Sequence, residues 1–146
     1  MEKMVKKILM ICMAVLVSCV AFGMSNNMAS AMTLNDLQGR YRVVSAADIG
    51  FSGRDGEGCL IELKIDNGNL VGICQNKING FKPGDVMLKD IWVDNGVVHC
   101  TTNYSTSYRW MRSIMNVYNN GASLEVVQSD NKRSEKPCWW KMKRVQ

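Results

Sequence analysis

Covalent chemistry in this chain would fall first to its cysteines. Two of the six, Cys12 and Cys19, sit in an apolar N-terminal run, which leaves Cys59, Cys74, Cys100 and Cys138. No C-x-x-C occurs among them, so neither a thioredoxin-like dithiol nor a paired-knuckle zinc site is encoded. An even number in a small exported domain predicts disulfides, and four cysteines allow three pairings. Cys59 and Cys74 flank the turn Asn67-Gly68, which favours Cys59–Cys74 and leaves Cys100–Cys138. With a two-residue turn, however, Cys74 faces Ile61 and Cys59 is only its diagonal neighbour. A longer turn or a bulge would be needed to set the two opposite for an unstrained bridge.

The other reactive side chains are sparse. His99 is the only histidine, and on a strand its neighbour Cys100 points to the opposite face, so the two form no dyad. Its cross-strand partner in the simple register is Trp92, an exposed pair. No nucleophile motif and no spaced carboxylate pair stands out, so a non-catalytic protein is expected. No cluster of ligand types suggests a metal, and no cofactor is expected.

Two stretches carry recognition chemistry instead. "IGFSGRDGEG", Ile49 to Gly58, has four glycines but no Lys-Ser/Thr of a phosphate loop and no dinucleotide fingerprint. It reads either as a flexible connection or as a lid at a barrel mouth, with Phe51 and Arg54 meeting a ligand or partner. "YSTSYRWMRSIMNVY", Tyr104 to Tyr118, places Tyr108, Trp110, Arg112, Ile114 and Tyr118 on one face when the methionines turn inward. Aromatic residues with arginine are typical of interface hot spots. If a twist or bulge swaps the faces, the rings are core instead.

The elements that must position these residues follow a two-residue period. Cys59, Ile61, Leu63 and Ile65 share one strand face and Glu62, Lys64 and Asp66 the other; Leu70, Gly72 and Cys74 return on the apolar face, and Ile91, Val93, Val98 and Cys100, and Met111, Met115, Val117, Leu124 and Val126, fall together in the same way. Asn-Gly, the strongest short hairpin signal, occurs at Asn67-Gly68, Asn95-Gly96 and Asn120-Gly121. A first strand, Gly39 to Ser45, and a last, Cys138 to Val145, bring the count to about eight. The expected fold is all-β: a single up-and-down antiparallel β-barrel, stapled by disulfides, because closure removes exposed edges.

The N-terminus reads as an address. Lys3, Lys6 and Lys7 precede an uncharged run, Ile8 to Met24, and then Ala29-Ser30-Ala31. This is the form of a secretory signal over residues 1–31, leaving residues 32–146 as one domain. Leu16-Val17-Ser18-Cys19 also resembles the lipobox of bacterial lipoproteins. On that alternative the signal is residues 1–18 and Cys19 carries the lipid. Either route gives an extracytoplasmic protein, periplasmic or secreted, and the second anchors it to a membrane. The 32–146 portion holds 15 Lys and Arg against 12 Asp and Glu. The excess is concentrated in Lys132 to Arg144, either a docking surface for an acidic partner or a solvated face protecting a sheet edge.

"LNDLQGRYRVV", Leu34 to Val44, resembles the opening of the calycin barrels, the superfamily that contains the lipocalins. In those proteins a Gly-x-Trp motif begins the first strand, and its ring packs beneath a basic residue of the last strand. Here Gly39-Arg40-Tyr41 takes that place, with Tyr for Trp, and Arg144 is the matching basic residue, in phase with inward-facing Trp140. The likeness covers a few residues at each end and the strand count. It implies barrel closure by Tyr41, Trp140 and Arg144, and binding of a small apolar molecule or inhibition of a hydrolase; small bacterial relatives include barrel inhibitors of secreted proteases.

The sequence therefore supports an exported binding module acting through its mouth or surface on a small apolar ligand or an envelope or extracellular protein. The alternative is an inhibitor of a secreted hydrolase, of protease or lysozyme type, using loops on a filled barrel. The large inward residues lean towards a solid interior. Nucleic acid is not an expected partner, and a membrane is one only if Cys19 is lipidated.

Overall fold

The computed structural model describes residues 32–47, 56–78, 80–104, 110–130 and 137–146. Residues Met32–Gln146 form one compact unit. The expected N-terminal signal, Cys19, Phe51, Arg54 and Tyr108 lie outside the described residues.

Eight strands close into an antiparallel up-and-down barrel: β1 (Gly39–Ala47), β2 (Leu60–Asp66), β3 (Asn69–Cys74), β4 (Val86–Asp94), β5 (Val97–Asn103), β6 (Trp110–Tyr118), β7 (Ser123–Gln128) and β8 (Trp139–Val145). Each pairs with its sequence neighbours, and β8 returns to β1, with Tyr41 opposite Arg144 and Val43 opposite Met142. Every strand is therefore flanked on both sides, and the barrel has no edge.

The turns explain the register. Asp66 pairs with Asn69 across Asn67 (φ 48°) and Gly68 (φ 81°), and Asp94 pairs with Val97 across Asn95 (φ 49°) and Gly96 (φ 79°). Both are two-residue turns with positive φ at each central position, the backbone that Asn-Gly adopts most readily. The third Asn-Gly behaves differently. Asn119, Asn120 and Gly121 all have positive φ (51°, 53° and 85°), and Tyr118 pairs with Ser123, so the connection is four residues long and contains a short 3-10 turn. Asn119 and Ala122 join Asn120 and Gly121 in the connection and widen it.

All three of these turns lie at one end, the base. A one-turn 3-10 helix, Leu34–Leu37, precedes β1 at the same end and buries Leu37 completely. Asp36 Oδ2 accepts from the Thr33 amide (2.7 Å) and hydroxyl (2.9 Å), which holds its carboxyl below the usual range. The opposite end, the mouth, carries four longer connections, between β1 and β2, β3 and β4, β5 and β6, and β7 and β8.

Inward residues alternate as the two-residue period requires. Tyr41, Val43, Ile61, Leu63, Leu70, Cys74, Leu88, Val98, Cys100, Met115, Leu124, Val126, Trp140 and Met142 are all essentially buried. Each large apolar side chain so enclosed contributes roughly 1.5–3 kcal/mol. Ile65 and Val93, expected on the same face, are 38% and 42% exposed. Both lie one residue from the end of a strand at the base, where the closed interior ends. A bulge in β4 at Asp90 (φ 49°) inserts one residue between Lys89 and Trp92, so Leu88 and Ile91 both stay inward.

The interior is tightly filled at Gly72. A methyl group there would lie 2.7 Å from Leu88 Cδ1 and 3.1 Å from Leu63 Cδ2. Glycine at this strand position leaves space that the Leu88 and Leu63 side chains of the flanking strands approach.

The expected disulfide staple is not formed. No S–S bond joins Cys59, Cys74, Cys100 and Cys138. Cys59 Sγ and Cys74 Sγ are 3.4 Å apart, a nonbonded contact well beyond the ~2.05 Å of a disulfide. The physical reason is the register: Cys74 pairs with Ile61, which leaves Cys59 on the diagonal. Cys74 Sγ donates instead to the Asn76 carbonyl (3.0 Å), and Cys100 Sγ lies 3.6 Å from Thr102 Oγ1.

Candidate binding surfaces

The base is closed by one arginine. Arg144 Cζ lies 4.9 Å from the centroid of the Tyr41 ring. Its Nε donates to the Gly121 carbonyl (3.1 Å), Nη1 to Gln38 O (2.6 Å) and Nη2 to Asp36 O (2.8 Å). The Tyr41 hydroxyl donates within reach of two carbonyls, Leu37 O (3.1 Å) and Gly121 O (3.0 Å). Desolvation raises the Tyr41 pKa, partly offset by Arg144, so the ring stays neutral and keeps its proton to donate. First strand, last strand, 3-10 helix and wide turn thus meet at one cation.

Trp140, the third closure residue, lies towards the mouth instead. Its ring meets Tyr104 edge-to-face at 5.2 Å and 70°. Tyr104 is fully buried, and its hydroxyl is 2.9 Å from Ser113 Oγ. Thr102, Ser113 and Cys100 make this tier the polar part of the core. Burial drives the Tyr104 phenol far up and the Cys100 thiol up to about 11. These groups are held neutral, and Ser113 Oγ also bonds the Met111 carbonyl (3.3 Å). The arrangement orders the core and activates no nucleophile. Among the described residues, Trp140 Nε1 and Asn103 Oδ1 are buried without a hydrogen-bond partner. Among the described residues no three His, Cys, Asp or Glu converge on a possible metal position.

The outer face of β6 carries Trp110, Arg112, Ile114, Asn116 and Tyr118, with Met111 and Met115 buried beneath. The strand period is kept and the faces are not swapped. Trp110 and Tyr118 nevertheless do not form one spot. Trp110 is at the mouth end, beneath the Lys89 ammonium at 4.4 Å. Tyr118 is at the base end, where its hydroxyl donates to Glu125 Oε2 (3.1 Å). Eight strand positions separate them by roughly 26 Å. Between them His99 stacks on Trp92 at 4.9 Å and 15°, and Ile114 pairs with both His99 and Val127.

No family model, no curated protein and no solved structure matches this chain.

Two features are not visible in the sequence. The like-charge pair Arg42–Lys143 lies on the outer face of β1 and β8, and only the closing register reveals it. The buried Tyr104–Ser113 pair joins the two sides of the β5–β6 connection. The inward phase of Met111 and Met115 did signal Ser113, which lies between them with the same parity.

Proposed function

We propose that this chain is an exported, non-catalytic binding module that engages an envelope or extracellular protein through its outer surface or mouth connections. The observation that carries the reading is the filled interior. A methyl group at Gly72 would meet Leu88 Cδ1 at 2.7 Å, so the leucine would have to shift, and Trp140, Tyr41, Leu63, Leu88 and Met115 are each at most 2% exposed. A barrel of eight strands either holds one small ligand or is packed by its own side chains, and this packing favours the second. The exposed Trp92, Trp110 and Tyr118 provide contact groups outside it.

The likeness to calycin barrels is part of the same proposal, supported by the Arg144–Tyr41 stack and the closed strand order. It favours, as a second reading, inhibition of a secreted hydrolase by the mouth connections. Native mass spectrometry of the purified 32–146 domain tests the reading. A bare polypeptide is the expected result; a stoichiometric co-purified lipid-like mass would replace surface binding with ligand carriage.

A further inference from the structure

Lysines on the last strand have an ordinary explanation when that strand is a sheet edge, since charge deters pairing with another chain. That explanation does not apply here, because β8 is paired on both sides, with β7 and with β1. Lys141 and Lys143 face outward on it, and Arg42 faces outward on β1. Arg42 stands directly opposite Lys143. Like charges in that position repel, and among the described residues neither is in an ion pair. The row continues to Ser123 on one side and Leu60 on the other, neither of them acidic, and the nearest carboxylates, Glu62 and Glu125, stand on the diagonals from Arg42 and Lys143.

The strip has an apolar component. The register of β1 against β8 shifts between Val43 and Ser45, so Val44 is the unpaired bulge residue and is 41% exposed. A bulge re-aims a side chain. Val44, Tyr118, Lys141 and Lys143 line a groove of about 240 Å³. Tyr118 is 48% exposed. Within the groove Glu125 bonds Tyr118 and lies 3.7 Å from Lys141 Nζ.

We propose that this β8–β1 strip docks an acidic segment of a protein partner, with carboxylates on Arg42 and Lys143 and an apolar side chain between Val44 and Tyr118. The inference rests on the surface-binding reading above and names the site and the chemistry. The charge pattern chooses the class of partner. A carboxylate relieves the Arg42–Lys143 repulsion, which gives the complementarity that selects partners. Glu125 interrupts the positive strip. A peptide with discrete charges accommodates that interruption; a uniformly anionic bilayer meets it with repulsion.

The test uses the 32–146 domain and a fluorescent peptide of alternating Glu and Leu, read by anisotropy. Wild type binds, and raising the salt weakens binding. The double variant Arg42→Glu/Lys143→Glu binds about tenfold more weakly or worse, while Lys64→Glu, exposed on β2 near the base and outside the strip, binds as wild type does. The single variant Arg42→Glu raises Tm by removing the repulsion, which separates lost docking from lost folding. Equal losses in Lys64→Glu and the double variant would show a net-charge effect and overturn the proposal. So would a lower or unchanged Tm for Arg42→Glu, or preferential binding of phosphatidylglycerol vesicles over the peptide. A bare mass in native spectrometry together with an indifferent peptide would remove this strip and leave the surface reading standing.

Discussion

Arg144 on the last strand covers the ring of Tyr41 on the first at 4.9 Å, and the same guanidinium binds three backbone carbonyls. It is partly solvated, so each contact is worth less than a buried one. Its value lies in joining four segments at once. Arg144→Met should lower stability by roughly 1.5–3 kcal/mol. Tyr41→Phe removes a buried donor from two carbonyls and should cost about 1–2 kcal/mol. Denaturant unfolding of both singles and the double variant will show coupling, because the residues share the Gly121 carbonyl. Strict additivity would mean that they act independently.

Gly72→Ala tests whether the interior is full. The new methyl would press on Leu88 and Leu63, so it should destabilise by roughly 1–3 kcal/mol despite the better strand propensity of alanine. Leu88→Val in the same background should recover part of the loss. A Gly72→Ala variant as stable as wild type would reveal interior space.

Two glycines with similar backbone angles should respond differently. A Cβ added at Gly68 (φ 81°) would have no atom within 4 Å, whereas one added at Gly121 (φ 85°) would lie 3.0 Å from Arg144 Nη2 and 3.4 Å from Asp36 O. Gly68→Ala should cost about 1 kcal/mol, the backbone strain alone. Gly121→Ala should cost more, because it also displaces the arginine. Thermal melts of the two variants will rank them, and a reversed order would contradict the role given to Arg144.

Stability should fall between about pH 9 and pH 11. The Cys100 thiol is raised by burial to about 11 from an ordinary value near 9. In that window the unfolded chain releases the proton and the folded chain keeps it, so stability is intact below pH 9 and is lost as pH rises to the folded value. The contribution is roughly 2–3 kcal/mol. Cys100→Ala should make this part of the pH–stability profile shallower without removing it, because burial also raises Cys59, Tyr41 and Tyr104, which lose stability in the same direction.

How much of this was legible depends on the range of the interaction. The strands were readable because alternation is local: Ile61, Leu63, Leu70 and Cys74 fall on one face whatever pairs with them. The turns at Asn67-Gly68 and Asn95-Gly96 were readable for the same reason, while Asn119 and Ala122 widened the third. The cysteine pairing failed on a detail of register, since the short turn that made the hairpin predictable also put Cys59 on the diagonal from Cys74. The Arg42–Lys143 pair was invisible because its two residues are about a hundred positions apart and meet only where the barrel closes. Phe51, Arg54 and Tyr108 lie outside the described residues. Trp110, Arg112 and Tyr118 share the outer face of β6, spread along its length.

The seam between β1 and β8 also governs when folding can finish. A polypeptide delivered from its N-terminus would present β1 and β7 as open rims until Trp139–Val145 emerged. Contacts of such long sequence separation form slowly. During that interval the unfinished sheet is exposed to any other extended chain, and the arrival of Arg144 over Tyr41 ends the exposure.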